Sequence, residues 1–148
     1  MELLNSATLI ALALAFAANS ACVLIHYEAL SGLSLVLPRV RIPPRPRILL
    51  LIFAILFLHS VEIGLYAVIY YGLAAVPGFG VLLGPTSLSF ADCIYYSAVV
   101  FSTLGLGDIV PHGPIRMLTA AQALVGFVLI TWSASFTFLE MQSFWKRH

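Results

Sequence analysis

Three long runs of apolar residues dominate the chain, separated by stretches that are rich in polar residues, proline and glycine. The runs extend from about Leu3 to Ile25, from Ile48 to Tyr71 and from Ile115 to Leu139. A helix needs about 20 apolar residues to cross the hydrocarbon core of a bilayer, and each run meets that requirement. The pattern therefore predicts three transmembrane helices.

A fourth apolar run, which is shorter, lies between the second and the third. Ser89, followed three residues later by Asp92, approximates a capping box, so we expect a helix over about 90–101. Such a helix is too short to span a bilayer and is predicted to be re-entrant. The non-helical stretch "TLGLGD" follows it directly. Irregular backbone is tolerated at membrane depth only where it lines protein or water, so we predict a water-filled or ion-filled axis beside residues 103–107.

Composition supports a membrane protein and excludes several other classes. Of the 148 residues, 61% are hydrophobic and 9% are charged, and the mean hydropathy is +1.05. Soluble domains carry about 25% charged residues, so a soluble globular domain is excluded. Cys22 and Cys93 show neither metal-site spacing nor a disulfide framework. An intramembrane enzyme would need a nucleophile–base pair or a metal cluster, and no such motif is present, so we predict no catalytic residue and no nucleic-acid partner.

The basic residues predict the orientation of the chain. The loop over 39–47 contains four arginines, and the tail over 143–148 contains Lys146 and Arg147. Short basic segments stay in the cytoplasm, so the N-terminus and residues 76–114 are expected outside the plasma (inner) membrane. The first run follows Glu2 rather than Lys or Arg, which favours a retained helix over a cleaved signal peptide. The prolines between the runs predict a stiff turn without helix. The arginines set topology and could also bind anionic lipid; they are Arg39, Arg41, Arg45 and Arg47.

The stretch "DCIYYSAVVFSTLGLGDIVPHGPIRMLTAAQALVGFVLI" resembles the pore helix, filter and inner helix of the potassium channel superfamily. With the outer helix, the resemblance covers residues 48–142. It implies an all-α membrane protein with a homotetrameric pore, similar to a short prokaryotic channel. The implied organisation is a peripheral helix and interfacial segment over 1–38, a cytoplasmic loop over 39–47, the pore domain over 48–142 and a tail over 143–148.

The resemblance also implies a role for individual residues. Carbonyl groups that bind permeant K⁺ would come from the filter, with no other cofactor, and Thr103 would add its hydroxyl. Asp108 would support the outer end of the filter, hydrogen-bonded to Tyr95, and Tyr96 would lie behind Leu106. Gly126 would serve as a hinge of the inner helix. The filter residues are Thr103, Leu104, Gly105, Leu106 and Gly107, and the cavity and gate residues are Phe127, Ile130, Ala134 and Phe138.

Leu106 departs from the commonest filter of that superfamily, which has tyrosine at this position. A leucine cannot tie the filter to the pore helix by a hydrogen bond, although the backbone carbonyls are unchanged. Three functions therefore remain open at this point. They are a potassium-selective channel, a weakly selective Na⁺/K⁺ channel, and a non-conducting pore-like scaffold or regulatory subunit.

His59 and Glu62 are ionisable residues within the second apolar run, and they lie on one turn of the predicted helix. Ionisable residues inside a membrane are functional candidates and need partners. Two interpretations remain. One is structural, either a mutually satisfied pair or a contact to the first helix through His26; the other is a proton-sensitive gate, since histidine titrates near neutrality. His26 itself is expected near the cytoplasmic boundary, with residues 29–38 along the interface.

Overall fold

A computed structural model describes residues 6–40 and 43–145, except for the side chains of residues 44, 45, 144 and 145. The chain is mostly helical, and three of its helices are long and apolar enough to cross a membrane, which confirms the prediction. In chain order the elements are α1 (Ser6–Val36), a 3₁₀ turn (Leu37–Arg39), α2 (Pro44–Ala74), β1 (Val81–Leu83), α3 (Phe90–Phe101), β2 (Val110–His112) and α4 (Ile115–Trp145).

The long helices extend beyond the predicted runs. Residues 29–36, which were expected to lie along the interface, continue α1 without a break. The prolines were expected to exclude helix, yet α2 begins at Pro44, with Pro46 also in its first turn. The first turn of a helix has no intrahelical acceptors for its N–H groups, so proline costs little there. Arg41, the Arg45 side chain and residues 146–148 lie outside the described residues.

A stripe of small residues packs α1 against the other long helices. Ala11, Ala15, Ala18 and Cys22 are buried at intervals of three and four residues. Small side chains let helix backbones approach closely in membranes. The expected place of α1 was the periphery, but α1 packs chiefly against α4, the helix expected to be innermost. In one protomer, α2 therefore does not separate α1 from the inner helix.

A short two-stranded sheet, which the sequence patterns did not predict, joins the segment before α3 to the segment after it. β1 pairs antiparallel with β2, and Leu82 lies opposite Pro111. Gly84 has a φ of +140°, and a Cβ built there would overlap the carbonyl oxygen of Asp108. Glycine is therefore required at this contact. The sheet fixes the backbone just beyond residues 103–108.

Candidate functional site

α3 begins with the capping box that the sequence predicted. The Asp92 backbone N–H donates to Ser89 Oγ at 3.1 Å, and the Ser89 backbone N–H donates to Asp92 Oδ2 at 2.8 Å. The Ser89 hydroxyl also donates to Asp92 Oδ2, at 2.6 Å. These donors, the hydroxyl first, hold the pKa of Asp92 below its ordinary value. The cap fixes the outer end of α3.

The other end of α3 closes with a Schellman motif. The Thr103 N–H donates to the Val100 carbonyl and the Leu104 N–H donates to the Val99 carbonyl, both at 3.0 Å. This motif requires a left-handed residue after the helix, usually glycine. Thr103 occupies that position with a φ of 58° and is the only non-glycine with positive φ among the described residues. A β-branched residue is strained there, and such strain is typical of functional sites.

The backbone after α3 alternates in conformation. Thr103, Gly105 and Gly107 have φ values of 58°, 62° and 79°, whereas the intervening Leu104 and Leu106 have no positive φ. In a strand with one repeated conformation, successive carbonyls point in opposite directions; alternating left-handed residues allow them to point the same way. All the residues over 102–108 are exposed in the single chain. The predicted filter residues therefore form one open, non-helical segment beside the end of α3.

The two tyrosines of α3 have different surroundings. A hydrogen bond with the Asp108 carboxylate raises the pKa of Tyr95, which is the contact that the resemblance implied. The Tyr96 hydroxyl lies 2.9 Å from Thr119 Oγ1, and its ring packs edge-on against Tyr70 at 5.0 Å. This tyrosine thus joins α3 to α4 within one protomer, and its placement behind Leu106 stays a prediction.

A buried polar network, which sequence reasoning missed, holds α3 between α2 and α4. The Gln122 side-chain amide donates to Ser97 Oγ at 2.7 Å and accepts from the Tyr70 hydroxyl at 2.7 Å. The Ser97 hydroxyl donates to the Ile63 carbonyl at 2.7 Å. Polar groups so deeply buried need partners, and here they find them across three helices. The available signal was a glutamine and a serine inside otherwise apolar runs.

Gly126 lies at the crossing of α4 and the end of α3. α4 continues through this position as helix. A Cβ built on Gly126 would overlap the carbonyl oxygen of Phe101. The glycine thus permits close approach of two backbones. Its role as a hinge stays a prediction.

The four predicted cavity and gate residues share one side of α4. Phe127, Ile130, Ala134 and Phe138 are all exposed, whereas the opposite side of the helix is buried within the chain. Three of them, Ile130, Ala134 and Phe138, also line a cavity of about 420 Å³ between α2 and α4. This side of α4 is free in the single chain to face a pore or another copy.

The predicted pair of His59 and Glu62 belongs to a larger buried cluster. His59 Nδ1 lies 2.8 Å from Glu62 Oε2, and His26 Nδ1 lies 2.9 Å from Glu62 Oε1. Ser133 Oγ lies 3.2 Å from His59 Nε2 and 3.3 Å from His26 Nε2. The contact between His59 and Glu62 and the further contact to His26 are therefore confirmed. The serine of α4 was not anticipated.

The same cluster offers donor atoms of the kinds that bind transition metals. One ligand atom from each of His26, His59 and Glu62 lies within 4.8 Å of the others. However, the two imidazole rings are stacked, with centroids 5.5 Å apart and planes inclined by 27°. Both Nδ1 atoms contact the Glu62 carboxylate and both Nε2 atoms contact Ser133 Oγ, so protein partners already occupy all four ring nitrogens. Each donor atom is also hydrogen-bonded within the cluster, an arrangement that suits proton sharing better than chelation.

Comparison with known proteins identifies one family. A family model described as "Ion channel" matches residues 48–142, which contain α2, both strands, α3 and nearly all of α4. This match covers more than half of the chain. No curated protein and no solved structure matches the chain.

Proposed function

The chain belongs to the ion channel family of two-helix pore-loop potassium channels, and we propose that it conducts potassium ions through the backbone of residues 103–107. The observation that carries the proposal is the alternation of left-handed φ at Thr103, Gly105 and Gly107. Rings of backbone carbonyls replace the hydration shell of K⁺ in selectivity filters. A segment whose carbonyls can all point one way has the chemistry that such a ring needs.

The proposed channel is a homotetramer. One chain supplies carbonyls on only one side of an ion, and its filter segment is exposed from 102 to 108. Four copies around one axis would bury this segment and surround the ion, with the exposed side of α4 lining the pore. Strongly exposed rings elsewhere, such as Phe53 on α2 and Phe16 on α1, would face lipid or a neighbouring copy.

The proposal also includes the orientation of the chain in the membrane and the contacts of its arginines. The 39–47 segment would lie in the cytoplasm of a prokaryotic cell with the plasma membrane around α1, α2 and α4. Arg39 is exposed and is free to meet an anionic headgroup. The Arg47 side chain donates to the Val40 carbonyl at 2.7 Å and so helps to close the turn between α1 and α2.

Leu106 favours a second candidate, a weakly selective Na⁺/K⁺ channel. Its side chain is 58% exposed and has no group that could hydrogen-bond, so nothing in one protomer ties this part of the filter down. A looser filter would exclude sodium less sharply. A non-conducting scaffold is less well supported, because the threonine, both glycines and Asp108 are all present in the filter.

The test is potassium flux from liposomes that contain the purified protein, together with its mass in detergent. We expect a tetramer and a flux that Gly105→Ala abolishes, since alanine resists a φ of +62°. Gly78→Ala is the matched control: Gly78 also has positive φ, at +93°, and also has no atom within 4 Å of a built Cβ, but it lies outside the filter. Equal loss in both variants, or a dimer, would contradict the proposal.

A further inference from the structure

Four side chains from three helices form a closed ring of hydrogen bonds within the membrane-spanning part of the protein. Glu62 contacts both imidazoles through their Nδ1 atoms, and Ser133 contacts both through their Nε2 atoms. The ring thus runs from Glu62 to His26, to Ser133, to His59 and back. It joins α1, α2 and α4 at one point.

The number of protons in this ring follows from its geometry. Each of the four contacts needs one proton between its two heavy atoms. A carboxylate supplies none, the Ser133 hydroxyl supplies one and each neutral imidazole supplies one, which makes three. Four hydrogen bonds need four protons, so the ring holds one proton more than two neutral imidazoles, the Ser133 hydroxyl and an ionised carboxylate provide.

The charge balance requires the same extra proton. His26 and Glu62 are completely buried, and His59 is 14% exposed. With the extra proton on an imidazole, one imidazolium balances one carboxylate and the net charge of the ring is zero. Without it, a buried negative charge remains unbalanced, which is costly at this depth. An imidazole is a stronger base than a carboxylate, so the two imidazoles rather than Glu62 hold the proton.

Among the described residues that pack around the ring of hydrogen bonds, no other charged group competes for this proton. α1 contributes the Cys22 thiol, which faces Glu62 from one turn before His26. α4 contributes the Trp132 ring, 5.2 Å from His26. α3 contributes the Phe101 ring, 5.4 Å from His59. A free thiol is uncharged at neutral pH and the two aromatic rings do not titrate, so the count of protons is set by the four ring members.

The ring borders a largely apolar cavity and the end of α3. His59 and Ser133 line the cavity of about 420 Å³ between α2 and α4, which also reaches the proposed gate residues Ile130 and Phe138. Phe101, which contacts His59, ends α3 two residues before Thr103, and its carbonyl lies against Gly126. The ring therefore contacts both the side of α4 that carries the proposed gate residues and the end of α3 that precedes the proposed filter.

We propose that His26, His59, Glu62 and Ser133 form a binding site for a single proton, shared by the two imidazoles, that fixes α4 to α1 and α2 and keeps the channel conducting. A second proton makes the ring net positive. Ser133 then accepts from both imidazoles and its own hydroxyl proton must leave the ring, which weakens the attachment of α4 to α1 and α2. The positive charge beside the cavity also opposes cation entry. Acidification should therefore reduce potassium flux. The flux measurement rests on the proposed function, whereas the number of protons on the two imidazoles does not.

The proton count is tested by imidazole nitrogen NMR on protein labelled at histidine and reconstituted in lipid. The chain has four histidines, and the His112→Gln, His148→Gln background leaves only the two ring members. At pH 7 we expect three N–H protons on two imidazoles, and a fourth in acid. Two neutral imidazoles at pH 7, or two imidazoliums, would overturn the proposal. Displacement of the protons by added Zn²⁺ at micromolar concentration would overturn it in favour of a metal site.

The coupling is tested by potassium flux with equal pH on both sides of the liposome. For the parent we expect flux to fall at least about fivefold between pH 7.5 and pH 5.5. Fivefold is about the smallest effect that one binding site usually has on another site coupled to it. Ser133→Ala opens the ring and should reduce that change to less than about twofold. Ser135→Ala is the matched control, because the Ser135 hydroxyl bonds only to the Thr131 carbonyl of its own helix. Equal pH dependence in the parent and in Ser133→Ala would overturn the coupling. If the parent shows no flux, the proposed function fails, and the NMR proton count alone tests the proton site.

Discussion

Gly126 of α4 lies directly against the backbone of Phe101, the last residue of α3. Any side chain at 126 would displace the end of α3 and, two residues later, Thr103. α4 therefore fixes the position of the segment that begins at Thr103, the proposed filter. The buried network of Gln122, Ser97 and Tyr70 does the same one turn earlier along both helices.

Gly126→Ala should destabilise the protein by about 1–3 kcal/mol, the usual cost of overpacking, because its Cβ has no room beside the Phe101 carbonyl. The measurement is thermal unfolding of the purified protein in detergent. Gly72→Ala provides the comparison, since Gly72 is also helical and has no atom within 4 Å of a built Cβ. Replacing a helical glycine by alanine there should stabilise the protein by up to about 1 kcal/mol. Equal effects of the two substitutions would contradict the packing role.

Ser97→Ala should cost about 1–3 kcal/mol, because it leaves the Ile63 carbonyl without its donor and the Gln122 amide without one acceptor. Ser102→Ala is the control, since that hydroxyl bonds only to carbonyls of α3 and is exposed. We expect its effect to stay within about 0.5 kcal/mol. Thermal unfolding of both variants in the same detergent distinguishes them; a harmless Ser97→Ala would mean that the network does not hold α3.

Thr103 combines a strained backbone with a hydroxyl, and substitutions separate the two. Thr103→Ser keeps the hydroxyl and removes the β-branch, so potassium binding should be retained and stability should not fall. Thr103→Val keeps the branch and loses the hydroxyl, so potassium affinity should fall about tenfold, the effect of one polar contact. Calorimetric titration with K⁺ measures both. The account of Thr103 fails if the valine variant binds K⁺ as the parent does.

Asp108→Asn should lower the pKa of Tyr95 toward its ordinary value, because the carboxylate that accepts from this phenol also opposes its ionisation. Ultraviolet absorption of tyrosinate during an alkaline titration measures the change as a difference between Asp108→Asn and the parent. Tyr95→Phe in both backgrounds identifies the signal. An unchanged difference spectrum would show that Tyr95 and Asp108 do not interact.

The sequence predicted what local physics determines. The apolar runs gave three spans, and Ser89 with Asp92 placed α3 at the residues where the structure has it. The non-helical backbone of residues 103–107 followed from the position of "TLGLGD" directly after α3. The contact between His59 and Glu62 followed from helical spacing. The family was recognised from the same stretch that its model matches.

What the sequence did not predict depends on contacts between distant segments. The pairing of β1 with β2 involves short strands without an alternating pattern. Ser133 completes the buried ring from 74 residues away in the chain. The contact between Tyr96 and Thr119 was not predicted, because spacing along α3 gives the direction of a side chain but not its partner on α4. The start of α2 was misjudged because proline both breaks a helix interior and suits a first turn.

Leu106→Tyr tests whether the side chain at 106 controls selectivity or only filter rigidity. Since Tyr96 is engaged by Thr119, no tyrosine of α3 in the same protomer stands ready to bond the new hydroxyl. We expect potassium preference to be kept, with at most about a twofold change in the permeability ratio, well under the tenfold that 1.4 kcal/mol would give. Leu104→Tyr provides the comparison at the other exposed leucine of the segment. Loss of preference in Leu106→Tyr would show that this side chain, and not the backbone, sets selectivity.

The reversal potential in mixed potassium and sodium tests the central claim most directly. The measurement uses the purified protein in a planar bilayer, with a potassium-rich mixture of the two ions on one side and a sodium-rich mixture of the same total concentration on the other. If the alternating backbone of residues 103–107 coordinates the permeating ion, the current reverses near the potassium equilibrium potential and Gly105→Ala abolishes it, while Gly78→Ala leaves it unchanged. Reversal near zero in the parent, or normal conduction through Gly105→Ala, would contradict the account.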